Sequence, residues 1–371
     1  MAIPRARLGS VAEFINGFAF KPEDWADDGL PIVRIQNLTD PGKAFNRTSR
    51  RVPEKFVVRP GDLLVSWSAT LGVFIWDRLE DGLVNQHIFR VIPDTRVVDK
   101  AYLRHMLGDA LLSMSSHLHG ATMQHVNRGA FLATEIPLPP LPEQRRIASI
   151  LDEADRVRTY RRIALDHVDA IVDAAFREVS AQTGERILLG NCVKVIAKLV
   201  DPRRPEFAQY SFVAPDNIEA KTGRMRNVRS VSEVAPISGK YLFESEDVLY
   251  SKIRPALNKV ALAHSVGLCS ADMYPLRADS KVLTREYLWA ALRASDFLKY
   301  ASGMANRAQM PKLNRDQLFG YPMAVPPISV QERFASVVSR AQRVESAVRQ
   351  HQASLNELFA ALQHRAFSGE L

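Results

Sequence analysis

The sequence predicts an α+β protein: two tandem α/β domains separated by two long helices that pair as an antiparallel coiled coil, with an internal pseudo-twofold repeat. Three observations predict it. The second half of the chain repeats the first at a nearly constant offset. Each half closes on a proline-rich junction. Each junction runs straight into a helix with a heptad pattern.

Internal repeats decide architecture before local motifs do. The stretch "GDLLVSW" from Gly61 matches "EDVLYSK" from Glu246, pairing Asp62 with Asp247 and Ser66 with Ser251. Gly82 falls on Gly267, Asp94 on Asp279 and Tyr102 on Tyr287, all at an offset of 185. Asn127 and Arg128 then meet Asn314 and Arg315, and Pro139–Pro140 meets Pro326–Pro327, at an offset of 187. The layout that follows is a first domain over 1–140, a central helix over 141–182, a second domain over 183–327 and a C-terminal helix over 328–371.

Strand-like runs open each domain: "LPIVRIQ", "DLLVSW", "GVFIW" and "HIFRVIP" in the first, "QYSFVA", "DVLYSK" and "KVALAH" in the second. Helix-like runs follow over 99–116 and 284–301. The proline pairs stop the domain, since proline lacks a backbone donor and disfavours helix in the residue before it. Pro142 then fits the start of one long helix, and Ser329 with Glu332 fits a capping box at the start of the other.

The long helices carry the clearest periodicity. In the first, Ile147, Ile150, Ala154, Val157, Arg161, Ala164, Val168, Ile171 and Ala175 alternate steps of three and four. In the second, Phe334, Val337, Ala341, Val344, Val348, His351, Leu355, Leu358 and Leu362 do the same, in step with the first set. That is the seam of a coiled coil. Arg161 and His351 interrupt it, either as packed stems with solvated heads or as register-setting contacts. One helix enters the second domain and the other ends the chain, so antiparallel pairing is the simplest arrangement. It places the domains at opposite ends of a rod about 50 Å long, the length of roughly 15 base pairs of duplex DNA.

Bulk properties narrow the function. A chain of 371 residues, 46% hydrophobic, has room for two or three globular domains. It has no apolar run long enough to cross a membrane and no signal-peptide layout at its start, so a cytoplasmic location is expected. Cys192 and Cys269 lack metal-type spacing and are expected as buried thiols rather than a disulfide. A net charge of +8 favours a polyanionic partner such as nucleic acid.

The chain resembles the specificity subunit of type I restriction-modification systems. The resemblance rests on "IPLPPLPEQRRIASILDEAD" from Ile136, "VLYSKIRPALNKVALA" from Val248 and the tail "LQHRAFSGEL" from Leu362, and covers nearly the whole chain. It implies a subunit with no chemistry of its own, whose two target-recognition domains each read one half of a split, asymmetric target on double-stranded DNA. The helices would act as the ruler and dock two methylation subunits, which take S-adenosylmethionine. Restriction-translocase subunits would join through the complex and use ATP and Mg2+. One departure is Val330, which stands where the first junction has Glu143.

Base readout needs paired donors and acceptors, and phosphate contacts need cations or hydroxyls. Candidates in the first domain are Arg34, Gln36 and Asn37; Ser66, Trp67, Ser68 and Thr70; Asn85, Gln86 and His87; and Thr122, Gln124, His125, Asn127 and Arg128. In the second they are Lys221, Arg224, Arg226 and Arg229; Ser251, Lys252, Arg254, Asn258 and Lys259; and Asn306, Arg307, Gln309, Lys312, Asn314 and Arg315. Two domains that read different bases should differ at reading residues and agree at structural ones. Asn127–Arg128 with Asn314–Arg315, and Ser66 with Ser251, therefore read as structural or phosphate-binding. Gln86 and His87 align with Ala271 and Asp272, and so vary as base readers do.

Catalytic patterns are weak. Asp216, Glu219 and Lys221 imitate a magnesium nuclease, but the two carboxylates lie too close in sequence for the usual pair on adjacent strands. His117 and His119 have no cysteine or carboxylate at ligand spacing, so no metal is expected. No phosphate-binding glycine loop occurs. The alternatives to a DNA-specificity subunit are a coiled-coil scaffold that binds no DNA and a nuclease using Asp216 and Glu219.

Overall fold

The computed structural model describes residues 3–40, 42–116, 127–182, 186–196, 198–305 and 311–371. The chain forms two units, Met1–Tyr160 with His351–Leu371, and Arg161–Gln350. Each holds one α/β domain and a segment of both long helices, Leu141–Ala181 and Ile328–Ser368.

The first unit has strands β1 (Arg5–Arg7), β2 (Ala12–Asn16), β3 (Leu30–Val33), β4 (Asn46–Thr48), β5 (Val57–Val58), β6 (Leu63–Ser66), β7 (Gly72–Ile75), β8 (Gly82–Val84), β9 (Ile88–Pro93) and β10 (Glu135–Pro137). They form sheets in the orders β2-β9-β6-β7 and β4-β3-β8-β5, while β1 pairs with β10. The second unit has β11 (Arg186–Leu188), β12 (Val193–Val195), β13 (Leu199–Val200), β14 (Ser211–Val213), β15 (Arg229–Ser230), β16 (Lys240–Phe243), β17 (Val248–Ser251), β18 (Val260–Leu262), β19 (Gly267–Cys269), β20 (Met273–Ala278) and β21 (Pro322–Ala324). Its sheets run β12-β20-β17-β18 and β13-β16-β19-β14-β15, and β11 pairs with β21. Apart from the added β13, this is the first topology again. The repeat extends to register: Leu63 faces Val91, and Val248 faces Leu276, each 185 positions on.

The central strands β6 and β17 bury every residue, so alternation does not mark them. The reason is that both faces are covered. Leu63 and Val65 join a core with Phe14, Phe89, Tyr102 and the start of the first long helix, whereas Leu64 packs with Val33 and Val84 of the other sheet and with Trp76. In the second unit Val248 and Tyr250 face the helices, and Leu249 faces Val213 and Phe243. Asp62 and Asp247 brace these strands: Asp62 accepts from Arg90 at 2.8 Å, and Asp247, fully buried, from Arg277 at 2.8 Å.

The long helices begin at Leu141 and Ile328 because the carbonyls of Pro140 and Pro327 accept their first bonds, from the amides of Gln144 and Gln331 among others. Ser329 is therefore already helical and does not cap, and Pro142 is the second helical residue, where its missing donor is still harmless. The decisive residue is the glutamine. Gln144 is fully buried; its Oε1 accepts from the Asp99 amide at 2.8 Å, and its Nε2 donates to Val97 O at 3.0 Å and Pro139 O at 2.8 Å. Gln331, also fully buried, repeats this with the Thr284 amide at 2.9 Å, Val282 O at 3.0 Å and Pro326 O at 2.8 Å. Each glutamine locks together a proline junction, the long helix after it, and the start of a domain helix, Lys100–Ser116 or Arg285–Arg293. The single helix expected over 284–301 is two, because Ala294 is extended and divides Arg285–Arg293 from Ser295–Ala305. The tyrosines of these helices add a second matched tie: Tyr102 donates to Pro137 O and Tyr287 to Ala324 O, both at 2.9 Å.

Within each unit the helices run antiparallel. Arg146 reaches Leu371 O at 2.7 Å and Arg158 reaches Asn356 at 3.0 Å, so one number falls as the other rises. In the second unit the Phe176 ring lies 5.8 Å from that of Phe334. The predicted seam is half right. Ile147, Val168, Phe334 and Val348 are buried, with Ala154, Ala175, Ala341, Leu355 and Leu362 partly so. The intervening positions shift by one: Leu151, Val172, Val338 and Phe359 are buried in place of Ile150, Ile171, Val337 and Leu358. Ile171 is 58% exposed, Leu358 52% and Val344 50%. At each of the four shifted places two apolar residues adjoin, so period alone does not choose between them. Packing of the domain on the helix does. The shift also brings polar residues to the seam: Arg158, over the Phe359 ring at 4.3 Å, Glu345 and Gln352, in place of Val157, Val344 and His351. Arg161 is half-buried, while His351 is exposed.

Both cysteines are free and buried. Burial pushes the Cys192 thiol up to about 11 and the Cys269 thiol up to about 12. Among the described residues no helix is long and apolar enough to cross a membrane.

Two predictions follow from these contacts. Gln144→Ala or Gln331→Ala leaves one amide and two carbonyls without their partner, and should destabilise the chain by about 3 kcal/mol, read from denaturant melts. His105 is buried, with Nε2 2.6 Å from Asp152, and burial holds its imidazole below the ordinary value of 6.5 despite that carboxylate. The unfolded chain then takes the proton first as pH falls below about 6.5, so this contribution to stability is present above that pH and lost beneath it. His105→Gln should flatten the acid-side fall in melting temperature; an unchanged slope would show that other groups set it.

Candidate nucleic-acid interface

Topology brings three of the predicted stretches of the first domain to one sheet edge. β3 and β8 run parallel, with Val33 opposite Val84, so Arg34–Asn37 and Asn85–His87 leave them side by side. β6 ends at the same edge, because Ser66 faces Ile88. Backbone bonds fix the arrangement: the Asn85 amide donates to Val33 O at 3.0 Å, and the Trp67 amide to His87 O at 3.4 Å. The second domain builds the same shelf. β14 runs parallel to β19, and Ser251 faces Met273. The Ser270 amide donates to Val213 O at 2.9 Å and the Lys252 amide to Asp272 O at 3.0 Å. The stretch Pro311–Asn314 is stitched on by the Arg254 amide to Pro311 O and the Leu313 amide to Lys252 O, both at 2.8 Å.

Several candidates turn inward, and these readings are corrected. Ser66 and Ser251 are buried, and their hydroxyls donate to the carbonyls of Thr70 and Ile253. Ser68 and Asn85 are buried too. Asn37 is buried and spends its amide on its own turn, accepting from the Arg34 amide and donating to Lys43 O and Ala44 O. Asn258 is buried in the left-handed region, φ 50°, and donates to Arg293 O at 2.8 Å. Arg224 donates to Asp169 and Glu345, one carboxylate from each long helix, which together outweigh the cost of burying its charge and raise its pKa. Polar groups bound this way are held by the protein itself rather than presented to a ligand.

Asn127 and Asn314 are helix N-caps, accepting from the amides of Ala130 at 3.1 Å and Gln317 at 2.8 Å. Arg128 donates to Phe14 O at 3.1 Å, and Arg315 is exposed. The two asparagines and Arg128 thus hold the scaffold, while Arg315 stays at the surface.

Surface candidates remain. Gln36 and Thr70 are exposed, and Arg34 lies over the Trp25 ring at 4.9 Å. Gln86 and His87 are half-buried, with Nε2 atoms 3.3 Å apart, and the His87 ring leans on Trp67. In the second domain Lys221, Arg229 and Arg254 are exposed, and Arg226 pairs with Glu219 at 3.1 Å. Lys259 donates to Pro215 O at 2.7 Å and stands 3.8 Å from Asp216. Lys252 lies over the Tyr274 ring at 5.1 Å; burial pushes its amine pKa down, with Lys312 adding to the effect and Asp272 opposing it. Lys312 stands 3.7 Å from Asp272. Thr122, Gln124, His125, Asn306, Arg307 and Gln309, with His117 and His119, lie outside the described residues.

A search for cations and amides alone misses Asp272. The signal was its alignment with His87. Asp216 and Glu219 each face a cation rather than one another's carboxylate, and no group of three or more metal-ligating side chains occurs among the described residues.

Fold and shelf define a class: a protein that presents one scaffold twice, each copy on its own stretch of the same helix pair, with different side chains on equivalent surfaces. Known proteins resemble it in sequence and in fold. Residues 5–163 match the type I restriction modification DNA specificity domain. The chain is 33% identical over 181 residues to the EcoDI specificity subunit of Escherichia coli, which covers 48% of this chain and 40% of that relative's length. It is 20% identical over 412 positions to the StySPI specificity subunit of Salmonella potsdam, covering 99% of this chain and 88% of the other. A type-I restriction-modification S subunit from M. genitalium shares the fold, with a TM-score of 0.58 at 14% identity, covering 98% of this chain and 96% of that one. The family model matches the first domain and the start of the first long helix, and the chain spans less than half the length of the EcoDI relative it matches.

Proposed function

We propose that the chain is the DNA-specificity subunit of a type I restriction-modification complex, without catalytic activity of its own. Each domain reads one half of a split, asymmetric duplex target, and the helices fix the spacing. Two methylation subunits dock on the helices and carry S-adenosylmethionine, while restriction-translocase subunits supply the steps that need ATP and Mg2+, all in the cytoplasm. The carrying observation is the doubled shelf. Where the domains agree, at Ser66 and Ser251, Gln144 and Gln331, or Asn127 and Asn314, the side chains bind the protein itself. Where they differ, at Trp67 and Lys252 or His87 and Asp272, equivalent backbone presents different chemistry. One scaffold with two surfaces suits two half-sites of different sequence.

Co-expression with the methylation subunit, followed by mapping of modified adenines, should give a single split motif. Exchange of residues 1–135 for the matching domain of a relative should change one half of it alone; methylation unaltered by that exchange would refute the reading. Filter binding separates it from a DNA-free scaffold. Affinity should fall steeply with added salt, by a log–log slope of about −0.9 per phosphate contacted.

A further inference from the structure

The shelves differ at positions matched by register and by backbone hydrogen bonding, and the difference says what the second shelf selects. This inference rests on the function proposed above. Trp67 and His87 hold the places of Lys252 and Asp272. Asp272 is the anomaly, since a carboxylate on a surface that meets phosphates is repelled by them. It is tolerated there when it faces a donor on a base edge.

Its surroundings leave it that role. The main chain of Asp272 is fixed, its amide donating to Ser270 Oγ at 3.2 Å and its carbonyl accepting from Lys252 at 3.0 Å. The side chain is 45% exposed, and its nearest cation, Lys312 Nζ, stands 3.7 Å away, beyond hydrogen-bond reach. Asp62 and Asp247, by contrast, spend their carboxylates on arginines inside the fold. Lys252 and Lys312 flank Asp272 and screen it from phosphates.

We propose that Asp272 is a specificity-determining residue of the second half-site, accepting a hydrogen bond from the N4 amino group of a cytosine. That is the base-edge donor which carboxylates read in the major groove. The flanking lysines face the paired guanine, whose O6 and N7 are acceptors. In the first domain His87 holds the same place, so the two half-sites differ at the base pair that this turn meets.

The test uses the complex with its methylation subunit. Wild-type complex and the Asp272→Ala and Asp272→Asn variants compete for duplexes that differ singly at each position of the mapped motif, and the modified adenines of the host are mapped for each. Asp272→Ala should lower discrimination by about tenfold or more at one C·G position of the second half, leaving the first half untouched. Asp272→Asn should shift that position toward adenine. Methylation at the relaxed motif shows that the variants fold. A variant motif identical to wild type overturns the inference, and so does equal loss of affinity for every duplex, which marks Asp272 as structural. A wild-type complex that methylates no split motif overturns the proposed function itself.

Discussion

The architecture hangs on a buried side-chain amide used twice. A domain that ends in prolines has a supply problem: the chain must leave it, yet its last carbonyls cannot be satisfied by a helix that has not begun. Gln144 and Gln331 solve this from inside the helix, reaching back to a junction carbonyl and forward to the turn that opens a domain helix. An amide suits the place because it both donates and accepts, and because it carries no charge into a fully buried position. With that joint fixed, the domain has a defined attitude to its own stretch of helix. Glu143 and Val330, which differ between the junctions, sit beside it: Glu143 pairs with Arg146, while Val330 is buried. The asymmetry lies beside the joint, charged and half-buried at one and apolar and buried at the other, and the joint itself is the same.

Much of this was legible in the sequence. The offset of 185 was visible because strand register is preserved between the domains, so Leu63 and Val248 find equivalent partners. The long helices were visible as period. What period could not decide was the seam, since Ile150 adjoins Leu151 and Leu358 adjoins Phe359, and each pair is apolar twice over. A helix buried against a domain as well as against another helix takes its register from both, and the domain's side is not written in the helix. Burial of polar residues was hidden for a similar reason. Ser66, Asn37 and Asn258 have the chemistry of readers, and only the placement of neighbouring carbonyls shows that their hydrogen bonds are already committed.

The same logic separates scaffold from surface more reliably than residue type does. Within one chain, two copies of a fold act as each other's control. A residue kept in both copies has a task common to both, and that task proves to be internal: a cap, a brace, a tether. A residue that differs on unchanged backbone has been released from those tasks. This reasoning finds Asp272, which a search for positive charge passes over; Arg224, which such a search selects, is set aside by its ion pairs instead.

Arg224 carries a consequence of its own for how freely the domains can be traded between proteins. Its guanidinium joins the second domain to Asp169 of one long helix and Glu345 of the other. In the first unit the comparable tie, Arg104 to Asp152 and Asp155, uses the first long helix alone. A foreign second domain grafted here must bring a cation to that spot or leave Asp169 without its partner and Glu345 with Arg349 alone, and this domain moved elsewhere carries a half-buried cation looking for both. The first domain has one helix to match by charge, and meets the other through rings, Tyr102 on Phe367 and His105 near Phe359. The two mounts are therefore keyed differently: the front half meets the second long helix through rings, and the rear half meets it through charge.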